Sequence, residues 1–132
     1  MMKFNLDKMK KLHIFLGLLI AFNFSMAQVV RKGGTEIATI KTPTVQCDQC
    51  KRRIENYVSR EEGVQQVVVD YKKKTTKVTY LIDRTSIENV RTAIANAGYD
   101  ADEVTAEPSA YEKLPACCKK TEDGGGHDKK KY

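Results

Sequence analysis

The sequence contains no tryptophan, and its aromatic residues, 8% of the chain, are not clustered. Tyr71 and Tyr80 read as sheet packing and not as a stacking platform for nucleic acid, which needs grouped aromatics on central strands. No apolar run is long enough to cross a bilayer. The run at residues 12–24 is about 13 residues, against the ~20 of a spanning helix. Nor is there a large charge of one sign. The formal net charge is +6, but Lys3, Lys8, Lys10, Lys11 and Asp7 all belong to the first segment. Without them 19 basic and 16 acidic residues remain, a net +3. Part of that excess is the Lys129-Lys130-Lys131 run, and the rest is too balanced to argue for a nucleic-acid partner.

What is present at the start is a targeting pattern. The early lysines are followed by the apolar run and then by Ser25-Met26-Ala27, with small residues at the two positions that signal peptidase reads. Residues 1–27 are therefore expected to be a secretory signal. The product is exported, periplasmic or secreted, with no stable membrane insertion after cleavage. No cysteine lies near the end of the run, which argues against a lipoprotein anchor, and an uncleaved N-terminal anchor is the alternative reading. The remaining chain has room for one domain with a modest core, expected to be a monomer.

Residues 28–35 read as a flexible lead-in broken by Gly33-Gly34. Residues 36–42 alternate, with Ala38 and Ile40 on one face, which predicts a strand that Pro43 ends. From about residue 48 to 61 the period changes. Cys50, Ile54, Tyr57 and Val58 fall at i, i+4, i+7 and i+8 on one helical face, with Asp48 at the N-cap position and Gly63 past the end. Val64, Val67 and Val69 form a β-branched run. The Lys72-Lys73-Lys74 turn and a second run with Val78 and Tyr80 complete a hairpin, the lysines keeping its tip soluble or docking an acidic face.

Thr85 or Ser86 caps a second helix with Glu88 in its first turn, Ile87, Val90, Ile94 and Ala97 as its stripe and Gly98 as its stop. A last strand is expected at residues 100–106. The order is that of an α+β, ferredoxin-like βαββαβ sandwich, two helices on one face of a four-stranded antiparallel sheet. Residues 107–120 form a connector with a short amphipathic piece at 109–114. Residues 121–132 are Gly- and Lys-rich and read as a disordered tail, with His127 a solvated member of it.

The four cysteines are Cys47, Cys50, Cys117 and Cys118. An exported chain with an even count suggests disulfides, in any of three pairings. Bridging within either close pair, however, would close so small a loop that little unfolded-state entropy is removed. Ligand or redox chemistry fits the spacing better. Cys47 in a loop and Cys50 in the first helical turn place both sulfurs at a helix N-terminus, whose partial positive charge favours thiolate, and Lys51, Arg52 and Arg53 add to it. Thiolates suit Cu(I), Zn(II) and similar ions. Two thiolates leave a structural zinc site incomplete, so an exposed pair fits an ion that is handed on. Asp48 as an extra oxygen ligand for zinc competes with its plainer reading as a helix cap.

With Cys47-Asp48-Gln49-Cys50 running into a helix, Gly63-Val64 with Val67 and Val69, Val78-Thr79-Tyr80, and Ala97-Gly98-Tyr99-Asp100, residues 36–106 resemble the heavy-metal-associated domain family. That family includes copper chaperones, N-terminal modules of metal-transporting P-type ATPases and a periplasmic mercury-binding protein. The resemblance implies that Cys47 and Cys50 bind the metal and that Tyr99 shields the site. Cu(I) is the favoured ion, with Hg(II) or Zn(II) as alternatives, and the partner is a metal transporter or another metal-binding domain. One departure stands out: the family's usual Gly-Met-Thr is Thr44-Val45-Gln46 here. Val45 can do the inward-packing job of that methionine with less volume, which leaves the metal open.

Cys117 and Cys118 are accessory metal candidates, either completing a four-thiolate site with the loop or forming a separate capture site. A vicinal pair of this kind resembles that of mercury-transport membrane proteins, and a tail disulfide to another molecule is the plain alternative. The leading class is thus a non-enzymatic metal carrier. A thiol–disulfide oxidoreductase is the second class, although no Trp precedes the motif and no Pro lies inside it. The third is a metal-free interaction module with an oxidised motif.

Overall fold

Alternation over the first segment becomes strand β1 (Thr35–Lys41), which buries Ile40, half-buries Ala38 and turns Ile37 outward. The computed structural model describes residues 33–126. The expected signal at 1–27, most of the lead-in and His127 lie outside the described residues. Strands β2 (Val64–Asp70) and β3 (Thr75–Leu81) complete an antiparallel sheet of order β1-β3-β2. Ala38 and Val67 both face Val78, and Ile40 and Val69 both face Thr76. The hydroxyls of the buried Thr42 and Thr76 satisfy one another at 3.0 Å. At the hairpin tip the Asp70 carboxylate accepts the amides of Lys72 (3.1 Å) and Lys73 (3.0 Å), and Lys74 takes a left-handed φ of 58°.

Helix α1 (Asp48–Val58) buries Cys50, Ile54 and Val58. Tyr57, expected on that stripe, is 41% exposed, and the helix stops at Val58, short of residue 61. Its N-cap is Cys47 and not Asp48. Cys47 holds the extended conformation (φ −148°, ψ 174°), while Asp48 is already helical and pairs with Arg52 at 2.7 Å, one turn on. Helix α2 (Ile87–Asn96) is capped by Ser86, whose Oγ accepts the Asn89 amide at 3.3 Å. Both helices join the inward face of the sheet in one cluster that includes Ile40, Ile54, Val58, Val78, Val90 and Ile94. Fully burying each such aliphatic side chain contributes about 1.5–3 kcal/mol.

Helix α2 ends in a reciprocal cap. Gly98, at φ +99°, donates to the Ala95 carbonyl at 2.9 Å, and Tyr99 donates to the Ile94 carbonyl at 3.3 Å. That turn sends the Tyr99 side chain into the core, where it is wholly buried. A short helix α3 (Pro108–Glu112) then begins behind Glu107, whose carboxylate accepts the Ala110 amide at 2.8 Å.

The fourth strand expected at residues 100–106 does not form, so the sheet of the described residues has three strands. Ala101 and Val104 make a single antiparallel bridge around Asp102-Glu103. Asp102 sits at φ +51°, which an extended strand does not tolerate and which Asp adopts more readily than most residues. The remnant of edge pairing is a single residue, Asp102 against Lys41.

Candidate metal centre

The loop from β1 to α1 is held from several sides. The Thr42 amide donates to the Lys74 carbonyl at 2.9 Å, and the Val45 amide donates to the Thr42 carbonyl at 3.2 Å. The Lys74 ammonium donates to the Val45 carbonyl, and the Asp100 amide donates to Thr44 Oγ1 at 3.0 Å. Val45 itself is fully buried, so it fills the inward position of the loop. These contacts deliver Cys47 to the start of α1 and place its Sγ 3.3 Å from that of Cys50.

The sequence suggested an exposed pair, but the pair is buried: Cys47 is 7% and Cys50 0% exposed. The cover is the segment after α3. It runs through single 3₁₀ turns at Ala116–Cys118 and Thr121–Asp123, the second of them at the start of the Gly- and Lys-rich stretch. Gln46 Nε2 donates to the Lys119 carbonyl at 2.6 Å, and the Cys117 thiol donates to Gln49 Oε1 at 3.1 Å. Tyr111 accepts the Lys120 amide at 2.8 Å and donates to Asp123 at 2.5 Å, while the Lys120 ammonium lies 3.5 Å from Asp100.

This strap brings Cys118, also 0% exposed, to the loop pair. The sulfurs of Cys47, Cys50 and Cys118 all lie within 4.8 Å of one another. Cys117 stays at the rim, its Sγ 3.9 Å from that of Cys118, and no disulfide links any of the four. Burial and then the neighbouring Cys50 thiol push the Cys118 thiol well above the usual range, and burial pushes Cys117 up as well. Tyr99 lies fully buried beside Cys118 and Cys50. Its hydroxyl makes no hydrogen bond among the described residues, and burial, followed by those two cysteines, keeps it un-ionised.

The structure therefore brings together Cys47, Cys50, Cys118 and Tyr99, with Cys117 at the edge. Gln46, Gln49, Lys74 and Tyr111 were not legible as site residues. They act through long-range contacts that local spacing does not encode, although Tyr111 did fall in the amphipathic piece. Tyr71 joins Gln46, Cys47, Asp48 and Gln49 around a shallow mouth. Three sulfurs within one ion's reach form a soft-donor set.

Fold and site together define a class: small α+β domains with a Cys-x-x-Cys pair at the start of the first helix. The chain belongs to the heavy-metal-associated domain family, whose profile matches residues 39–100. It is 33% identical over 61 residues to the copper chaperone CopZ of Staphylococcus haemolyticus, covering 46% of this chain and 90% of that one. It is 31% identical over 65 residues to the mercuric transport protein periplasmic component of Pseudomonas aeruginosa, covering 49% of this chain and 71% of that one. The crystal structure of oxidized MerP from Ralstonia metallidurans superposes with a TM-score of 0.50 at 29% identity, covering 52% of this chain and 96% of that one. The first two of these relatives are named as a copper chaperone and a mercuric transport protein. Among the described residues, no helix is long and apolar enough to cross a membrane.

Proposed function

We propose that the protein is an exported carrier that captures a soft metal ion through the thiolates of Cys47 and Cys50 and passes it on by ligand exchange. The observation that carries the reading is the 3.3 Å approach of the two sulfurs at the N-terminus of α1, in a domain of this family. Cysteine sulfurs are soft donors that favour soft ions. Cu(I) is the favoured cargo, with Hg(II) next and Zn(II) third, in keeping with a copper chaperone and mercuric transport proteins among the relatives. The partner is a metal transporter or a second metal-binding domain. The pattern of residues 1–27 supports export, and Tyr99 beneath the sulfurs shields the site from water. The ion is cargo: donor and acceptor sulfurs replace one another stepwise, and each displaced thiolate takes its proton back from solvent.

The test is Cys47→Ser and Cys50→Ser in the full chain, with Cu(I) and Hg(II) affinities read by competition with a chromophoric chelator. Collapse of affinity in either variant is expected. Wild-type affinity in both overturns the reading.

A further inference from the structure

We propose that Cys118 is the third sulfur of the site, so that the protein holds its ion in a three-thiolate environment closed by its own C-terminal strap. The inference rests on the reading of Cys47 and Cys50 as ligands and adds a member contributed from outside the matched region of residues 39–100.

Distances decide between two and three sulfurs. With metal–sulfur bonds of about 2.3 Å, two sulfurs on opposite sides of an ion stand about 4.6 Å apart, whereas three in a plane stand about 4.0 Å apart. Cys47 and Cys50 are at 3.3 Å. A linear site requires them to separate by more than about 1 Å, against the packing of two buried side chains. The trigonal site needs roughly half that movement, and the third sulfur is already inside 4.8 Å of both.

Cys118 joins the buried core cluster beside Cys47, Cys50 and Tyr99, and its sulfur is turned toward the loop pair. A segment following the domain core would ordinarily remain mobile, since ordering each residue costs about 1–2 kcal/mol. Here it is fixed onto the metal loop by Gln46 to Lys119, onto α1 by Cys117 to Gln49, and onto α3 by Lys120 and Asp123 to Tyr111. What those contacts bring to the interior is a sulfur. The adjacent residue takes the opposite role: Cys117 remains at the surface, 3.9 Å from Cys118, where an incoming or outgoing ion meets it first. The Lys74 ammonium and the N-terminus of α1 lie beside the loop and partly offset the charge that three thiolates bring. On binding, each of the three thiols gives its proton to solvent as its sulfur bonds to the ion, and no oxidation state changes.

The experiment is X-ray absorption at the copper edge on the full chain loaded anaerobically with one equivalent of Cu(I). It is repeated with Cys118→Ser, Cys118→Ala and Cys117→Ser, alongside chelator competition. Three sulfurs are expected in the unmodified protein and in C117S. Two are expected in C118S and C118A, each still binding one ion but about tenfold or more weakly. A count of two in the unmodified protein overturns the proposal even if a Cys118 variant fails to fold. Wild-type affinity in C118S or C118A also overturns it. If C47S and C50S abolish binding in the same series, the carrier reading survives that failure. If they bind like wild type, the carrier reading itself has failed.

Discussion

Asp102 holds Lys41 by both of its backbone groups: the Asp102 amide donates to the Lys41 carbonyl at 2.8 Å, and the Asp102 carboxylate accepts the Lys41 amide at 2.8 Å. One residue thereby does at the end of β1 what a fourth strand would do along its length. The same carboxylate receives Arg91 Nε at 2.8 Å, which ties α2 to the sheet edge. Asp102→Ala is expected to destabilise the domain by about 1–3 kcal/mol, the cost of leaving a hydrogen-bonded charged partner without its mate. Urea denaturation measures the loss, and faster exchange of the Lys41 amide should accompany it. Unchanged stability and exchange would show that the edge is closed by other means.

Tyr99 poses a separate question, because its hydroxyl is buried without a hydrogen bond among the described residues. Tyr99→Phe removes an unsatisfied polar atom and keeps the ring. Stability should stay level or rise by up to about 1 kcal/mol, and chelator competition should show metal affinity preserved. Tyr99→Ala, in contrast, should cost about 3–5 kcal/mol through the cavity it leaves. A thermal melt comparing the two variants separates the packing of the ring from any role of the hydroxyl.

The strap can be loosened without touching a sulfur. Tyr111→Phe deletes the acceptor for the Lys120 amide and the donor to Asp123. Local opening of residues 117–126 should become easier by about 1 kcal/mol, while the amides of α1 and β3 keep their protection. Hydrogen exchange resolved by segment reads both. Equal acceleration everywhere would mean that the strap and the core open as one unit.

Acid should weaken the start of α3. The Ser109 hydroxyl and then the Ala110 amide hold the Glu107 carboxyl below its ordinary value of 4.5. A depressed carboxyl contributes its stabilisation fully above that ordinary value and loses it as pH falls through the lower, folded value. Protection of the Ala110 amide should therefore be constant from neutral pH to about 4.5 and decline below it. Glu107→Gln, which retains an acceptor oxygen but does not titrate, should remove that acid step.

Much of this architecture was legible because it is local. The alternation in β1, the hairpin around Lys72-Lys73-Lys74, the Ser86 cap and the Gly98 stop are each written within a few neighbouring residues. The Cys47 and Cys50 pair was legible for the same reason. The fourth strand was misread because a run of suitable length conceals Asp102, whose left-handed backbone and side-chain grip on Lys41 depend on a partner 61 residues away. Cys118 was visible as a candidate, but its convergence on the loop depends on Gln46, Gln49 and Tyr111. No periodicity connects those three. The exposure expected of Cys47 failed because the strap that covers it is fixed through Cys117 and Lys119, 68 and 73 residues away from their partners Gln49 and Gln46.

Gly98 has a bearing on how variants of this protein will be interpreted. Its φ of +99° excludes most side chains, and a Cβ there would stand 3.1 Å from the Ala110 carbonyl and 3.1 Å from the tip of Leu114. The displaced piece would be α3 with the segment behind it. Under the proposed carrier function, a screen for lost metal binding should therefore recover Gly98 substitutions beside those of Cys47 and Cys50, although a glycine has no side chain to offer a metal.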